Sequence, residues 1–152
     1  MADTPFEGTL TWAGQPADTP FDYEHFNRTA ILEFAGGARL EASAPAAFHG
    51  DGALPNPETL MLASLMQCHF LTFMAVAAKS RVPIAAYRDA ATGTLAMKDG
   101  KMRYVLVVLR PVVQFANPEQ ASRLAAMHEK AHANCFMANS VAFEVRVEPQ
   151  AA

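Results

Sequence analysis

Between Leu60 and Ala78 the chain is apolar on nearly every side when wound as a helix, a pattern that requires cover all round. The start of this helix is equally legible: Asn56 can cap, Pro57 suits the first helical position and Glu58 suits the dipole. These signals predict a helix from Pro57 to about Ser80. Its length alone would permit a membrane span, but Ser64, Gln67, His69 and Thr72 are spread round it and the rest of the chain is rich in strand signals. A buried central helix wrapped by sheet fits better, and no membrane is expected.

Before that helix, residues 6–12 alternate weakly, as a strand would. Residues 13–27 carry Gly14, Pro16, Pro20 and three acids, a loop of the length that often serves function. Ile31–Phe34 and Arg39–Ser43 flank Gly36-Gly37, which predicts a hairpin. After it, Ile84–Met97 mixes strand-like and small residues, and Asp99-Gly100 turns the chain into Met102–Phe115. There Val105–Leu109 is apolar on both faces and must be covered on both. Asn117-Pro118-Glu119-Gln120 repeats the capping chemistry and opens a second helix to about Ala133. Phe143, Val145 and Val147 then alternate with Glu144, Arg146 and Glu148 in a closing strand, and the last four residues fall outside any element. The order β-β-β-helix-β-β-helix-β gives one α+β domain over residues 1–152. One small sheet does not cover the first helix, and a homodimer would.

Composition narrows the function. Of 152 residues, 51% are hydrophobic and 18% charged, enough for a substantial core without staples. A net charge of -3 supplies no basic field for nucleic acid or anionic lipid, so partners are small molecules or other proteins. Residues 1–5 have neither the charged start nor the apolar core of a secretory signal, which makes the cytoplasm the expected location. There, standing disulfides are rare, and the two cysteines, Cys68 and Cys135, are spaced for neither a zinc ribbon nor a CxxC pair. They are two unrelated buried thiols or one redox pair.

Cys68 lies eleven residues past Pro57, about 16 Å along the helix, too far for the dipole to activate it. No base stands three or four positions away, and His69 points about 100° round the helix. In the second helix Ala121, Leu124, Ala125, His128, His132 and Cys135 form one stripe, which ends Cys135 on the core face. His128, His132 and Cys135 could share a metal, although histidines at a helix edge are more often held by neighbours.

The segment Asn56-Pro57-Glu58-Thr59-Leu60 through Ala63-Ser64-Leu65-Met66-Gln67-Cys68-His69 resembles the Asn-Pro-Glu-x-Leu…Cys signature of the OsmC/Ohr thiol peroxidases. The segment His132-Ala133-Asn134-Cys135-Phe136-Met137-Ala138-Asn139-Ser140-Val141 resembles that family's second-cysteine motif. The resemblance implies the OsmC-like fold, with antiparallel sheets wrapping a long central helix in an intertwined homodimer whose active sites lie at the interface. It implies that Cys68 attacks an organic hydroperoxide, and hydrogen peroxide less well, that Cys135 resolves the sulfenate as a disulfide, and that a dithiol donor, a lipoylated protein being one source, recycles it. No cofactor and no metal enter that cycle. It also implies an N-terminal arginine held against the thiolate by Glu58; Arg28 matches best by position and Arg39 is the rival. The chemistry agrees, since a thiol of pKa about 8.5 needs a cation to be a good nucleophile at neutral pH and a guanidinium stays charged when desolvated. Phe70, Phe73 and Phe136 would favour organic peroxides or serve as core. Phe136 in place of the usual proline, His69 after the cysteine and His49 before Gly50 mark a distinct subgroup. The alternative function is a non-catalytic ligand- or metal-binding protein on the same dimeric scaffold.

Overall fold

The structure, a computed structural model, describes residues 3–152; Met1 and Ala2, part of the segment read for a secretory signal, lie outside them. Contacts divide the chain into two compact units, residues 1–60 and 61–152.

In the first unit β1 (Gly8–Trp12), β2 (Ala30–Phe34) and β3 (Arg39–Ala42) form an antiparallel sheet in that order. The hairpin turns at Gly36 and Gly37, with φ of 94° and 87°, values that glycine alone adopts without strain. The turn sets the register Glu33↔Arg39, and those two side chains pair at 3.1 Å. The long loop before β2 is held by its own side chains. Gln15 Nε2 donates to Pro20 O at 2.9 Å, Asn27 N donates to Gln15 Oε1 at 2.7 Å and Trp12 Nε1 donates to Asn27 O at 2.9 Å.

The helix α1 (Pro57–Lys79) opens in this unit and runs on through the second. Asn56 caps it reciprocally: Asn56 Oδ1 accepts from Thr59 N and Thr59 Oγ1 accepts from Asn56 N, both at 2.9 Å. It is long and apolar enough to cross a membrane by length and composition. Its buried side chains, Leu65, His69, Phe73, Val76 and Ala77, make one stripe instead of cover all round.

In the second unit the two long strand segments expected from the sequence are each broken in two. They give β4 (Ile84–Asp89), β5 (Thr92–Lys98), β6 (Lys101–Leu109) and β7 (Pro111–Phe115). The break has a local cause, because Pro111 has no N–H to continue a ladder. Arg110 N leaves the ladder for Asp89 Oδ1 at 2.7 Å. The strands β8 (Glu144–Val147) and β9 (Gln150–Ala151) complete the unit. The chain thus passes from one sheet, β5-β6-β8, into another, β4-β7-β9. Strands β8 and β9 pair parallel with β6 and β7, and the remaining pairs are antiparallel. The helical crossover before β8 brings the chain back in the same direction, which parallel pairing requires. The C-terminal residues expected to lie outside any element instead add β9 to this sheet, with Ala152 N donating to Val113 O at 3.0 Å.

The second helix starts later than the sequence suggests. Asn117 caps a 3₁₀ turn, Pro118–Arg123, and α2 proper is Leu124–Ala133. A tighter turn in place of an α turn rotates the helix after it, so Met127, His128 and Ala131 face the core while Ala125 is exposed. Phe73, Val76, Val113, Phe115, Met127 and Ala131 form one core cluster, and Leu65, Val107, Leu109 and Val145 form another.

Candidate functional site

Cys68 sits in the middle of α1, half-buried, and its Sγ accepts a hydrogen bond from Met137 N at 3.4 Å. Cys135 is not on the end of α2. The chain turns at Asn134, and Cys135 caps a short helix, α3 (Phe136–Ser140), its carbonyl accepting from Asn139 N at 3.0 Å. That turn lays the start of α3 over Cys68, with Met137 N on its sulfur, and leaves Cys135 a near neighbour of Cys68, both as free cysteines. Cys135 is 1% exposed. Burial pushes its thiol up to about 11, the backbone N–H groups of Ala138 and Met137 oppose this, and neighbouring Cys68 adds to it. The buried sulfur therefore keeps its proton at neutral pH. Met137, a backbone donor, carries no signal in the sequence.

A groove of about 480 Å³ opens over Cys68, lined by Leu71, Thr72 and Ala75 of α1 and, on the other wall, by Asn134 and Phe136. Of the three phenylalanines expected near the thiol, only Phe136 lines it. Phe73 is core, and Phe70 packs on Tyr87 at 5.0 Å between ring centroids.

His69, next to Cys68, turns into the core. Its Nε2 lies 2.9 Å from Nδ1 of His128, so one of the pair donates and the other accepts. Phe73 stacks on the His128 ring at 4.2 Å. Burial, and then the charge His132 would carry, lower His69 to about 4; burial, and then His69, lower His128 to about 3. Both rings are neutral at neutral pH. His128 is thus a core residue, on the stripe where its spacing placed it, and its neighbour His69 holds it. Among the described residues, no group of three or more His, Cys, Asp or Glu is arranged to hold a metal.

Arg28 and Glu58 lie in the first unit and line one cavity of about 660 Å³, walled by Trp12, Phe21, Tyr23, Phe26 and Phe48. The Arg28 guanidinium donates to Phe26 O at 2.9 Å and to Tyr23 O, and its carbon lies 3.8 Å from the centre of the Phe26 ring, a cation–π placement that fixes its plane. Arg39 is outside this cavity, exposed on its hairpin and paired with Glu33.

An α+β fold carrying two neighbouring free thiols, one on a long helix and one at a helix cap, defines a class. The comparisons with known proteins agree with it. The model of the family described as OsmC-like protein matches residues 50–150, and the chain belongs to that family. An OsmC-like protein of unknown function from Vibrio cholerae is 35% identical, with 97% of this chain and 99% of that one covered at a TM-score of 0.88. An organic hydroperoxide resistance protein from Elizabethkingia anophelis is 16% identical, covering 99% of this chain and 97% of its own, with a TM-score of 0.72. Another, from Legionella pneumophila, is 19% identical, covering 100% and 99%, with a TM-score of 0.71. At those two identities the likeness shows the fold alone. No curated protein matches this chain.

Proposed function

We propose that the protein is a two-cysteine thiol peroxidase that reduces organic hydroperoxides. The observation that carries this reading is the placing of the two free cysteines as neighbours by the α3 start over Cys68, one half-buried beside a groove and the other sealed with its proton on. The Cys68 thiolate attacks the distal peroxide oxygen; an S–O bond forms, the O–O bond breaks, and the alkoxide takes a proton and leaves as alcohol. Cys68 is now a sulfenic acid. Cys135 loses its proton and attacks that sulfur, forming the disulfide and releasing water. Oxidation of Cys68 removes the partner that helped to hold Cys135 protonated, so the resolving thiol becomes easier to ionise when it is needed. A dithiol donor then attacks the disulfide by exchange and is itself oxidised to a disulfide. The named organic hydroperoxide resistance proteins of the same fold support the substrate class. A reducing cytoplasm, with a lipoyl dithiol on a partner protein as donor, would suit the same cycle. The test is peroxide consumption with a dithiol, cumene hydroperoxide against hydrogen peroxide. Faster use of the organic peroxide is expected, and no consumption of either overturns the reading.

Arg28, with Glu58 lining the same cavity, supplies the activating cation. In a homodimer it meets the thiolate of the second copy. The apolar side chains that a single chain leaves in solvent, Phe6, Phe21, Leu71 and Phe136 among them, favour such an assembly. Sedimentation over a wide concentration range is expected to give a dimer; a stable folded monomer would contradict the composite site. Arg28→Lys is expected to slow peroxide attack by at least about ten-fold, since an ammonium cannot reproduce the planar fork. Arg39→Lys is expected to leave it unchanged, and stopped-flow measurement of Cys68 oxidation separates the two. The reverse order would assign the role to Arg39.

A further inference from the structure

The proposed cycle makes no use of the buried histidine pair, yet the pair joins the two segments that carry the thiols. His69 Nε2 and His128 Nδ1 share a hydrogen bond at 2.9 Å, and the rings lie nearly parallel, 10° apart in plane with centroids at 5.2 Å. Beside them Phe73, Val76 and Ala77 of α1 share a core cluster with Met127 and Ala131 of α2. Apolar contacts of that kind have no direction of their own and tolerate sliding. A hydrogen bond is directional, and it fixes how far one helix is advanced and turned against the other. Stability alone does not call for it. Each imidazole leaves its other nitrogen, His69 Nδ1 and His128 Nε2, buried without a hydrogen-bond partner, where an apolar pair of similar volume would leave nothing unpaired.

The path from each histidine to its cysteine is short and closed. His69 follows Cys68 directly on the continuous helix α1. From His128 the helix α2 runs to Ala133, Asn134 N donates to Ala131 O at 3.2 Å, and Cys135 N donates to His132 O at 3.1 Å. Asn139 Nδ2 donates to Ala133 O at 3.2 Å and ties α3 back to the same helix end. Whatever fixes His128 against His69 thereby fixes Cys135 against Cys68.

We infer that His69 and His128 are positioning residues, whose hydrogen bond sets the register of α2 on α1 and so holds Cys135 in place to close a disulfide with Cys68. The inference rests on the two-cysteine reading of the site. With the hydrogen bond present, the fold has already ordered the Cys135 segment before the sulfurs join. Without it, disulfide closure must do that ordering, and the disulfide is less favoured to the same extent.

The test is an equilibrium and needs no peroxide. The chain is brought to balance with mixtures of reduced and oxidised dithiothreitol; each Cys68–Cys135 link that opens takes two electrons and two protons from one dithiol, which closes to its own ring disulfide. Acid quench, alkylation and intact mass give the fraction of linked chains. In His69→Leu/His128→Leu, about ten-fold less dithiol relative to its disulfide is expected to open the link, a potential about 30 mV less negative. His69→Gln, whose amide nitrogen takes the place of Nε2, is expected to stay within about two-fold of the wild type. Val113→Ala, which opens a cavity in the same core cluster and leaves the histidine pair intact, is expected to stay within about two-fold as well. A wild-type equilibrium in the leucine pair, an equal shift in Val113→Ala, or no difference between His69→Gln and His69→Leu would overturn the inference. The last comparison stands even if the leucine pair does not fold. Cumene hydroperoxide consumption, measured alongside, keeps the two claims apart. The expected shift without consumption removes the peroxidase and leaves the positioning role, whereas consumption without the shift removes the positioning role and leaves the peroxidase. A wild type that forms no Cys68–Cys135 link overturns both.

Discussion

Replacement of Cys68 by serine is expected to abolish peroxide reduction, a loss of at least about a thousand-fold, because a hydroxyl with no base beside it cannot stand in for a thiolate. The residues one turn away on α1 offer no base, and His69 is turned into the core against His128. Cys135→Ser is expected to behave differently. Attack on the peroxide needs only Cys68, so this variant should consume about one peroxide per chain in a rapid first phase and then stall or over-oxidise. Rapid mixing with excess peroxide distinguishes the cases. Equal loss of the first turnover in both variants would contradict separate roles, and full activity in both would make the thiols ordinary buried cysteines.

The second large effect is on stability in acid. His69 and His128 are held at about 4 and about 3, below the ordinary value near 6.5, so the unfolded chain binds protons more readily than the folded one. Stability from these rings is complete above pH 6.5, declines below it as the unfolded imidazoles take up protons, and is fully lost once pH has fallen through the folded values. With the rings 0% and 2% exposed, proton uptake by one imidazole of the unfolded chain lowers stability by about 2 kcal/mol by pH 5. Asp89, whose carboxyl burial raises, works in the opposite direction. Urea unfolding at pH 8 and pH 5 should show this loss, and His69→Leu/His128→Leu should flatten the dependence whatever its own stability. A wild type equally stable at both pH values would contradict neutral buried imidazoles.

Much of the frame was legible because it rests on local chemistry. Asn56-Pro57-Glu58-Thr59 capped α1 as the residue types require. Gly36-Gly37 and Asp99-Gly100 made their turns with positive φ. The two cysteine motifs pointed to the family to which the chain belongs. The rest depended on tertiary detail that no period encodes. Arg110-Pro111 divided one apolar run between two sheets through the Asp89 carboxylate. A 3₁₀ turn at Pro118 delayed the start of α2, and the turn at Asn134 left Cys135 as the cap of α3. An all-round apolar helix marked what must be covered, but α1 buries one stripe within its own chain.

The pairing of the thiols is tested most directly by intact-mass and peptide mass spectrometry of the wild type after one equivalent of cumene hydroperoxide under denaturing, alkylating quench. The account predicts a chain two hydrogens lighter than the reduced form, with a peptide pair linked through Cys68 and Cys135 within one chain. A Cys68 found as sulfinic acid beside an alkylated, reduced Cys135 would contradict it, as would two thiols that remain free while the peroxide is unconsumed.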